Sequence, residues 1–299
     1  MADYLIMKAV EFDKLPAKFK KQYVDEQGLI DAGFWLQKKY DGCMGIAVVA
    51  HPSRGKLSRM LSRTGEDYTS SCGHILKELE EALGDSDRLD ESIIVIGEVW
   101  QPIEEATFPT ISGKFRRQSP SPELQFVAND LLPSGFNTDK PYAERFQELQ
   151  ALLGDDDPAF KVRVATTFFD MIQDPVAQAL EWQGQGGFDG AVIRNPDAGY
   201  TVGTVKNGEI VKVKPVMSLD LRCTDHAVEP GEKTGRAVVT VEVEYQGVKS
   251  WVGSGVPHNI DVASLQNSII EVECLGVTED GRLREPRFKG IRFDKREPD

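Results

Sequence analysis

Residues 34 to 49 read Phe34-Trp35-Leu36-Gln37-Lys38-Lys39-Tyr40-Asp41-Gly42-Cys43-Met44-Gly45-Ile46-Ala47-Val48-Val49, two apolar runs separated by an Asp-Gly pair. The pattern predicts two strands joined by a tight turn, with Lys39 near the end of the first strand. A lysine at a strand end can point into a pocket, where a neighbouring cation or partial desolvation lowers its pKa and its neutral amine attacks an electrophile. Asp-Gly is also the commonest hairpin signal, so the tetrapeptide alone leaves Lys39 as either a nucleophile or a solvated strand end.

The composition is that of a globular protein with one large or two ordinary domains. The chain has 299 residues, of which 40% are hydrophobic and 28% are charged. Its start, Met1 to Lys8, has no basic region followed by a long apolar stretch, and no apolar run approaches the ~18 residues of a membrane span. We therefore expect an intracellular protein with no membrane partner.

The cysteines and histidines exclude two classes of site. The four cysteines contain no Cys-x-x-Cys pair, which predicts reduced and mostly buried thiols instead of a zinc knuckle or a disulfide framework. The four histidines form no ligand-spaced pair, which excludes the usual zinc hydrolases.

The net charge of −13 argues against nonspecific adhesion to nucleic acid by the whole surface. One local stretch, residues 282 to 296, is nevertheless basic, and it is the first candidate for contact with a phosphate backbone. Its cations are Arg282, Arg284, Arg287, Lys289, Arg292, Lys295 and Arg296.

Further candidates lie at strand ends. Arg63 follows a short strand, where it is either solvated or placed to clamp a phosphate. Glu98 stands near the end of an apolar strand, and because strands rarely bury an unpaired glutamate, it lies either at an edge or facing a cation. Lys212 and Lys214 alternate with valines and share one strand face, which is either solvated or a phosphate cradle.

The remaining pattern predicts the domain organisation. Segment 12–30 is predicted to be weakly helical and segments 73–83, 141–153 and 175–183 to be helices. Segment 101–123 is predicted to be long and irregular, either a solvated loop or one facing a nucleic-acid strand. The acidic Asp155-Asp156-Asp157 is predicted to be a solvated loop and not a metal site. After Pro215 short strands and turns follow closely, which predicts a small antiparallel barrel and two domains, 1–216 and 217–299.

Six motifs in order resemble those of the ATP-dependent DNA ligases, most closely the short bacteriophage-type enzymes. They are Lys39-Tyr40-Asp41-Gly42, Ser62-Arg63-Thr64-Gly65, Gly97-Glu98-Val99, Asp189-Gly190-Ala191-Val192-Ile193-Arg194, Lys212-Val213-Lys214, and a closing motif at 271–275, 280–288 and 292–295. The similarity extends from about residue 35 to 296. It implies an α+β fold, with an antiparallel-sheet nucleotidyltransferase domain (an ATP-grasp-like ligase adenylation domain) and a C-terminal OB-fold β-barrel.

The resemblance also implies an activity, the sealing of nicks with 3′-hydroxyl and 5′-phosphate ends in duplex DNA during replication, repair and recombination. Lys39 would attack the α-phosphate of ATP to form lysyl-AMP, the AMP would pass to the 5′-phosphate, and the 3′-hydroxyl would displace it. Each step builds charge at phosphorus, so positioning and electrostatics should dominate catalysis. The implied catalytic residues are Lys39, Asp41, Lys212 and Lys214.

Other residues take roles by the same resemblance. Nucleotide-binding residues would be Gln37, Lys38, Arg63, Glu98, Arg194, Lys212, Lys214, Arg292, Asp294 and Lys295, with Arg194 beside the phosphate. Glu98 and Asp189 would bind Mg²⁺, and the barrel would close over ATP and then swing away about a hinge near Pro215 to Ser218. DNA-binding residues would be Arg63, Lys114, Arg116, Arg117, Arg284, Arg287 and Lys289. The protein would be a monomer acting on nicked double-stranded DNA, in a bacterial cytoplasm if a phage encodes it.

Four positions depart from the family pattern. Met44 stands where the first motif usually has arginine, and Asn129 stands where an aromatic residue stacks on adenine. Phe126 or another aromatic is the candidate substitute for that stacking role. Gln37 replaces a glutamate that accepts from the adenine amino group, although its amide oxygen can still accept. Asp189 replaces a glutamate and shortens that side chain by one methylene.

Alternative functions stay open. A capping guanylyltransferase shares the lysine nucleophile and the Arg-x-Asp-Lys ending but requires GTP. An RNA ligase is disfavoured because many of that class lack such a barrel. A nucleic-acid-binding barrel protein with a degenerate nucleotide domain would explain Met44 and Asn129. An NAD-dependent ligase is disfavoured by the short segment before Lys39 and the absence of a cysteine cluster.

Overall fold

A computed structural model of the chain describes residues 6–31, 33–51, 57–84, 92–102, 106–154, 160–169, 173–204, 209–231, 235, 237–278 and 280–298. The acidic run at 155–157, predicted to be a solvated loop, lies outside the described residues. The chain divides into two compact units, Met1–Lys214 and Pro215–Asp299. The division falls two residues before the predicted one.

The first unit contains twelve described strands and five described helices. The strands are β1 (Met7–Lys8), β2 (Val10–Glu11), β3 (Trp35–Tyr40), β4 (Cys43–Val49), β5 (Arg59–Ser62), β6 (Ile93–Trp100), β7 (Gln125–Pro133), β8 (Val162–Val164), β9 (Thr167–Phe168), β10 (Phe188–Arg194), β11 (Gly203–Thr204) and β12 (Ile210–Val213). The helices are α1 (Ala17–Lys20), α2 (Gly73–Gly84), α3 (Phe108–Phe115), α4 (Tyr142–Leu153) and α5 (Pro175–Gly184).

Most of these strands form two five-stranded sheets. One has the order β2-β12-β10-β3-β9 and the other β5-β4-β6-β7-β8, while β1 and β11 form a short parallel pair. Pairing is antiparallel except between β2 and β12 and between β7 and β8. The predicted pair of strands around Asp-Gly therefore forms, but β3 and β4 enter different sheets instead of pairing as a hairpin.

Each sheet buries one face under helices. Ile75 and Leu79 of α2 and Phe146 of α4 pack on the sheet containing β4, β6 and β7, with Val95 and Phe126 in the same cluster. Burying one large apolar side chain of this kind contributes about 1.5–3 kcal/mol to the stability of the fold.

The second sheet has its own core. Trp182 of α5 packs against Leu36, Ile193, Val211 and Val213. Because side chains alternate along a strand, the residues between these point to the opposite face, which carries the site described below.

One secondary-structure prediction was wrong, and another was confirmed. Segment 101–123 contains the helix Phe108–Phe115, which begins after Thr107 with a proline in its first turn and buries Ile111 and Phe115. Gly113 and Pro109 hid this periodicity. Segment 12–30 is weakly helical, as predicted, with a 3-10 turn at Phe12–Lys14 and the single-turn α1.

The second unit is a five-stranded antiparallel sheet. Its strands are β13 (Met217–Pro230), β14 (Ala237–Tyr245), β15 (Val248–Val252), β16 (Ile269–Cys274) and β17 (Arg287–Ile291), in the order β15-β14-β13-β16-β17. The long β13 pairs with β16 through its first half and with β14 through its second. Within the described residues, a single parallel bridge between Ser254 and Arg287 connects the two edges, so the barrel is not closed by a full ladder.

The α+β two-domain fold class is confirmed. All four cysteines are free thiols, as their spacing predicted, with Cys43 half-buried and the others buried. Among the helices of the described ranges, none has the length and apolar character needed to cross a membrane.

Candidate active site

One face of the sheet containing β3 is polar. Gln37 and Lys39 of β3 point to this face, since Leu36, which precedes Gln37, is buried in the core on the other side. The strand register places Val192 and Thr167 beside Gln37, and Lys212 beside Val192. This face is therefore lined by residues from β3, β9, β10 and β12 that lie far apart in the chain.

Two contacts on this face join three charged groups. Lys39 Nζ lies 2.8 Å from Asp189 Oδ2, and Lys214 Nζ lies 2.8 Å from the same oxygen. The Asp189 side chain is only 5% exposed, whereas those of Lys39 and Lys214 are 25% and 19% exposed. Lys39 and Lys214, both predicted to be catalytic, thus contact the carboxylate of Asp189, a predicted metal ligand.

A bulge directs Asp189 toward Lys39. The register between β10 and β3 shifts between Phe188 and Ala191, which adds one residue to β10, and Gly190 there has a φ of 121°. Bulges re-aim side chains and bend the strand, and the left-handed φ favours glycine. The Asp-Gly pair in the motif is therefore explained by local geometry.

The pKa of Lys39 is raised, contrary to the prediction that the pocket lowers it. Burial by itself lowers the pKa of Lys39, but the nearby carboxylates of Asp189 and Glu98 outweigh burial and hold its pKa above the ordinary value. In turn, burial would raise the pKa of Asp189, but Lys39 and Lys214 hold it below the ordinary value. Lys39 is therefore a protonated amine in this ion pair.

Glu98 lies beside the turn that follows Lys39. Burial raises its pKa to about 7, an effect that Lys39 opposes and that Asp41 and Asp189 increase. The backbone N–H of Gly42 donates to its carboxylate. A Cβ on Gly42 would come within 2.3 Å of the Val99 carbonyl oxygen, so only glycine allows this turn to lie against β6.

The carboxylates suit a hard cation. Asp189 Oδ1 is buried and lacks a hydrogen-bond partner within the described residues. The described ranges contain no group of three or more metal-ligating side chains. Mg²⁺ usually takes one or two protein carboxylates and fills its other positions with water and substrate phosphates, so Asp189 and Glu98 fit that ion.

Sequence reasoning missed a partner of Lys212. Lys212 Nζ lies 3.2 Å from Glu11 Oε1, because β2 pairs in parallel with β12 and brings Glu11 beside Lys212. Burial opposes ionisation of Glu11, but hydrogen bonds from Lys14 and Lys212 lower its pKa. No local signal marks Glu11, since the contact depends on a strand pairing across most of the unit.

Two of the family departures meet at Arg194. Arg194 is 6% exposed, and its Nε donates to Gln37 Oε1 over 2.8 Å while Nη2 donates to Asn129 Oδ1 over 3.2 Å. Its guanidinium lies over the Tyr142 ring, 4.8 Å from the centroid. Arg194 thus lies with Gln37, which the resemblance assigns to the base, and the implied position of Arg194 beside the phosphate stays a prediction.

The hydrogen bonds around Gln37 fix its orientation. Gln37 Nε2 donates to Tyr142 Oη and to Thr167 Oγ1, both over 2.8 Å. Those hydroxyls donate onward to the carbonyl oxygens of Asn129 and Ala165. Because each hydroxyl has one proton, the Gln37 amide must present nitrogen to them and oxygen to Arg194.

Asn129 is also aimed by a bulge. The register between β6 and β7 shifts between Ile96 and Gly97, leaving Asn129 as the extra residue of β7. The next residue, Asp130, is buried and pairs with the buried Arg145, whose Nε and Nη2 donate to its two oxygens. This pair anchors the bulge.

Other predicted residues lie at the edges of the site. Lys38 points away from Lys39, with Nζ 4.6 Å from the Phe188 ring centroid. Arg63 is exposed beyond the end of β5, Asp41 is half-buried in the turn, and Met44 packs partly into the core on β4.

The basic residues predicted to bind DNA differ in their surroundings. Lys114 Nζ lies 2.9 Å from Gln101 Oε1 and 3.0 Å from Glu123 Oε1. Arg116 and Arg117 are exposed beyond the end of α3. In the second unit, Lys289 pairs with Glu273 at 3.0 Å, while Arg284 and Arg287 are half-buried.

The closing motif of the second unit is held by a carboxylate that sequence reasoning missed. Arg292 Nη1 donates to Asp220 Oδ1 and Oδ2 over 3.0 and 2.8 Å, and Lys295 contacts the same side chain. Arg292 Nε and Nη2 donate to Asp294 Oδ1 and Oδ2 over 2.9 and 2.8 Å. These hydrogen bonds lower the pKa of Asp294 to about 2. A lone carboxylate between Leu219 and Leu221 was the available signal.

Comparison with known proteins identifies a family. A family model described as the ATP dependent DNA ligase domain matches residues 7–214. A DNA ligase of Haloferax volcanii is 27% identical over 203 residues, which cover 63% of this chain and 32% of the relative. A DNA ligase of Natronomonas pharaonis is 25% identical over 300 residues, which cover 87% of this chain and 52% of the relative. The chain thus spans about a third to a half of these relatives.

Solved structures share the fold. The structure named Pmar-Lig_PreS3 has a TM-score of 0.72 at 21% identity, covering 97% of this chain and 68% of its own. A Lig E DNA ligase structure has a TM-score of 0.64 at 16% identity, covering 96% and 98%. The ATP-dependent DNA ligase of bacteriophage T7 has a TM-score of 0.53 at 20% identity, covering 96% and 98%.

Proposed function

The chain belongs to the ATP-dependent DNA ligase domain family, and from this membership we propose that it seals nicks in duplex DNA with ATP through a lysyl-AMP intermediate. The observation that carries the proposal is the contact of Lys39 and Lys214 with one oxygen of Asp189, each at 2.8 Å. A nucleophilic lysine, a second cation for a phosphate and a carboxylate are the groups that nucleotidyl transfer to an amine requires.

In the first proposed step, Lys39 Nζ attacks the α-phosphorus of ATP. A nitrogen–phosphorus bond forms, the bond to the bridging oxygen of the β-phosphate breaks, pyrophosphate leaves, and the amine loses a proton. Lys39 must be neutral to attack, so its ion pair with Asp189 has to weaken first. Lys214 and Lys212 stabilise the charge that builds on the α-phosphate.

The remaining nucleotide contacts follow the same polar face. Gln37 lies two positions before Lys39 on β3, and Arg194, which donates to it, lies farther from Lys39 in register with Trp35. We propose that these two residues meet the base end of the nucleotide. Lys38, Asp41 and Arg63 lie around the turn and complete the proposed set.

Glu98 and Asp189 would hold magnesium. The unpartnered Asp189 Oδ1 and the raised pKa of Glu98 both favour a cation between these carboxylates. When bound, the ion would neutralise phosphate charge.

In the later proposed steps, AMP passes to the 5′-phosphate of the nick and the 3′-hydroxyl then displaces it. Arg63, Arg116 and Arg117 of the first unit are proposed DNA contacts, and Lys114 is a weaker one because it is already paired. In the second unit, we propose that the sheet of β13 to β17 serves as the OB-fold domain. Its proposed DNA contacts are Arg284, Arg287 and Lys289. We propose a monomer, and ATP and nicked DNA are intracellular substrates.

The test is covalent labelling without DNA. The chain is incubated with Mg²⁺ and α-labelled ATP, denatured, and examined by gel and by peptide mass spectrometry. We expect label on Lys39, none on Lys39→Ala, and full label on Lys77→Ala, a matched change on the exposed face of α2.

Other outcomes separate the alternatives. Label from GTP alone would indicate a guanylyltransferase, and no label from either nucleotide would indicate a nucleic-acid-binding protein. A labelled chain that seals an RNA nick but not a DNA nick would indicate an RNA ligase.

A further inference from the structure

In the second unit, the segment containing Arg292 and Lys295 is fastened to β13. Asp220 and Arg222 lie on the same face of this strand, opposite the buried Leu219, Leu221 and Cys223. Asp220 contacts the Arg292 and Lys295 side chains, and Arg222 donates to the Arg296 carbonyl oxygen over 2.9 Å. The cations of the closing motif are therefore engaged inside their own unit.

The guanidinium of Arg292 is nearly saturated. It has five N–H donors, and the two on Nη1 reach Asp220 while Nε and Nη2 each reach Asp294. A phosphate can bind Arg292 by a paired contact only if one carboxylate gives way. A phosphate ligand therefore competes with an internal anion.

Asp220 and Asp294 are unequal competitors. Asp294 is two residues from Arg292, so it moves with the same segment. Its side chain is 66% exposed, so solvent weakens its attraction to Arg292. Asp220 lies on a paired strand, its side chain is 7% exposed, and it binds both Arg292 and Lys295. Asp220 is the anion that keeps both cations in place.

Given the proposed function, and taking Arg292 and Lys295 as the cations that orient the leaving pyrophosphate, the role that the resemblance implies for the closing motif, we propose that Asp220 is a positioning residue that holds these two cations and sets the apparent affinity for ATP in the first step. While they are bound to Asp220, only a fraction of molecules offers them to a phosphate. The apparent dissociation constant for ATP rises in proportion as that fraction falls.

Asp220→Asn tests the proposal, because the amide keeps the shape of the side chain and removes its charge. We expect the KM for ATP in DNA-free labelling of Lys39 to fall by about three- to tenfold, with the rate at saturating ATP within about twofold. Sealing of a nick that already carries AMP should be unchanged, since that reaction has no pyrophosphate leaving group.

The matched control is Glu273→Gln on β16, which makes the same chemical change in an exposed pair with Lys289. Its KM for ATP should equal that of the wild type. Thermal unfolding of each variant shows whether it folds, and Asp220→Ser replaces Asp220→Asn if the latter does not.

An unchanged or raised KM in a folded Asp220 variant overturns the proposal, and so does a loss of fold in both Asp220 variants, because Asp220 would then be structural. Failure of the proposed function gives a different result, since the wild type itself would then take no label from ATP.

Discussion

Lys39 Nζ lies 2.8 Å from Asp189 Oδ2, although the two residues are 150 positions apart in the chain. The contact makes Asp189 the largest favourable influence on the charge of Lys39, ahead of Glu98 and Asp41. Lys39, the proposed nucleophile, is thus held as a cation, and the reactivity of its amine depends on how strongly other positive groups bind Asp189.

Asp189→Asn should lower the pKa of Lys39. Removing the carboxylate leaves burial, which favours the neutral amine, less opposed. We expect a downward shift, and hence several-fold faster acetylation of Lys39 near neutral pH, where the neutral fraction limits the rate. Competitive labelling with acetic anhydride over a pH series, read by peptide mass spectrometry, measures this shift.

Lys77 provides the internal control for that experiment. It lies on the exposed face of α2 in a pair with Glu81, and its side chain is 76% exposed. Its labelling should not differ between the two proteins. An unchanged or higher labelling midpoint for Lys39 would show that Asp189 does not control its charge.

Glu98 should make stability depend on pH. Its pKa is raised from 4.5 to about 7 in the folded chain, so the folded state binds more protons than the unfolded state between these values. The free energy of unfolding should therefore fall as pH rises through this window, by on the order of 1–3 kcal/mol. Glu98→Gln should lack this component.

Urea unfolding of the wild type and Glu98→Gln near pH 5 and near pH 8 measures the difference. Glu81→Gln, the same change on the exposed face of α2, serves as control and should follow the wild type. Parallel pH profiles for the wild type and Glu98→Gln would contradict the raised pKa.

The sequence predicted the strands that carry Lys39, Glu98, Asp189 and Lys212, because each is an apolar run with a polar residue at a defined point. It also predicted that Lys212 and Lys214 share a face, and the burial of Val211 and Val213 opposite them agrees. The family motifs predicted which of these residues would meet, since spacing alone says nothing about contacts between strands so far apart.

The contacts that the sequence did not predict depend on strand register. One extra residue in β7 turns Asn129 toward Arg194, and one in β10 turns Asp189 toward Lys39. A bulge changes which face a side chain takes without leaving a compositional signal, except for Gly190. The contact of Glu11 with Lys212 likewise required the pairing of β2 with β12.

Tyr142→Phe should destabilise the first unit by about 1–3 kcal/mol, because it leaves a Gln37 N–H and the Asn129 carbonyl oxygen unpaired in a buried place. Tyr245→Phe, which removes an exposed hydroxyl that accepts from the neighbouring Gln246, should change stability by less than about 0.5 kcal/mol. Urea unfolding measures both. Equal effects would mean that the Gln37 network contributes little.

Alanine substitutions of Lys114 and Arg117 should have different effects on DNA affinity. Arg117 is exposed, so Arg117→Ala should remove a phosphate contact and reduce the slope of log affinity against log salt concentration by about 0.9. Lys114 is 17% exposed and paired with Glu123 and Gln101, so Lys114→Ala should change DNA affinity by less than about twofold.

Fluorescence anisotropy with a labelled nicked duplex at several salt concentrations distinguishes the two variants, and thermal unfolding checks that both fold. Since Lys114→Ala leaves Glu123 without its cation, we expect it to lower the unfolding midpoint more than Arg117→Ala does. If Lys114→Ala instead caused the larger loss of salt-dependent affinity, its pairing with Glu123 would have to open on DNA, and the segment after α3 would bind through Lys114 and not through Arg117.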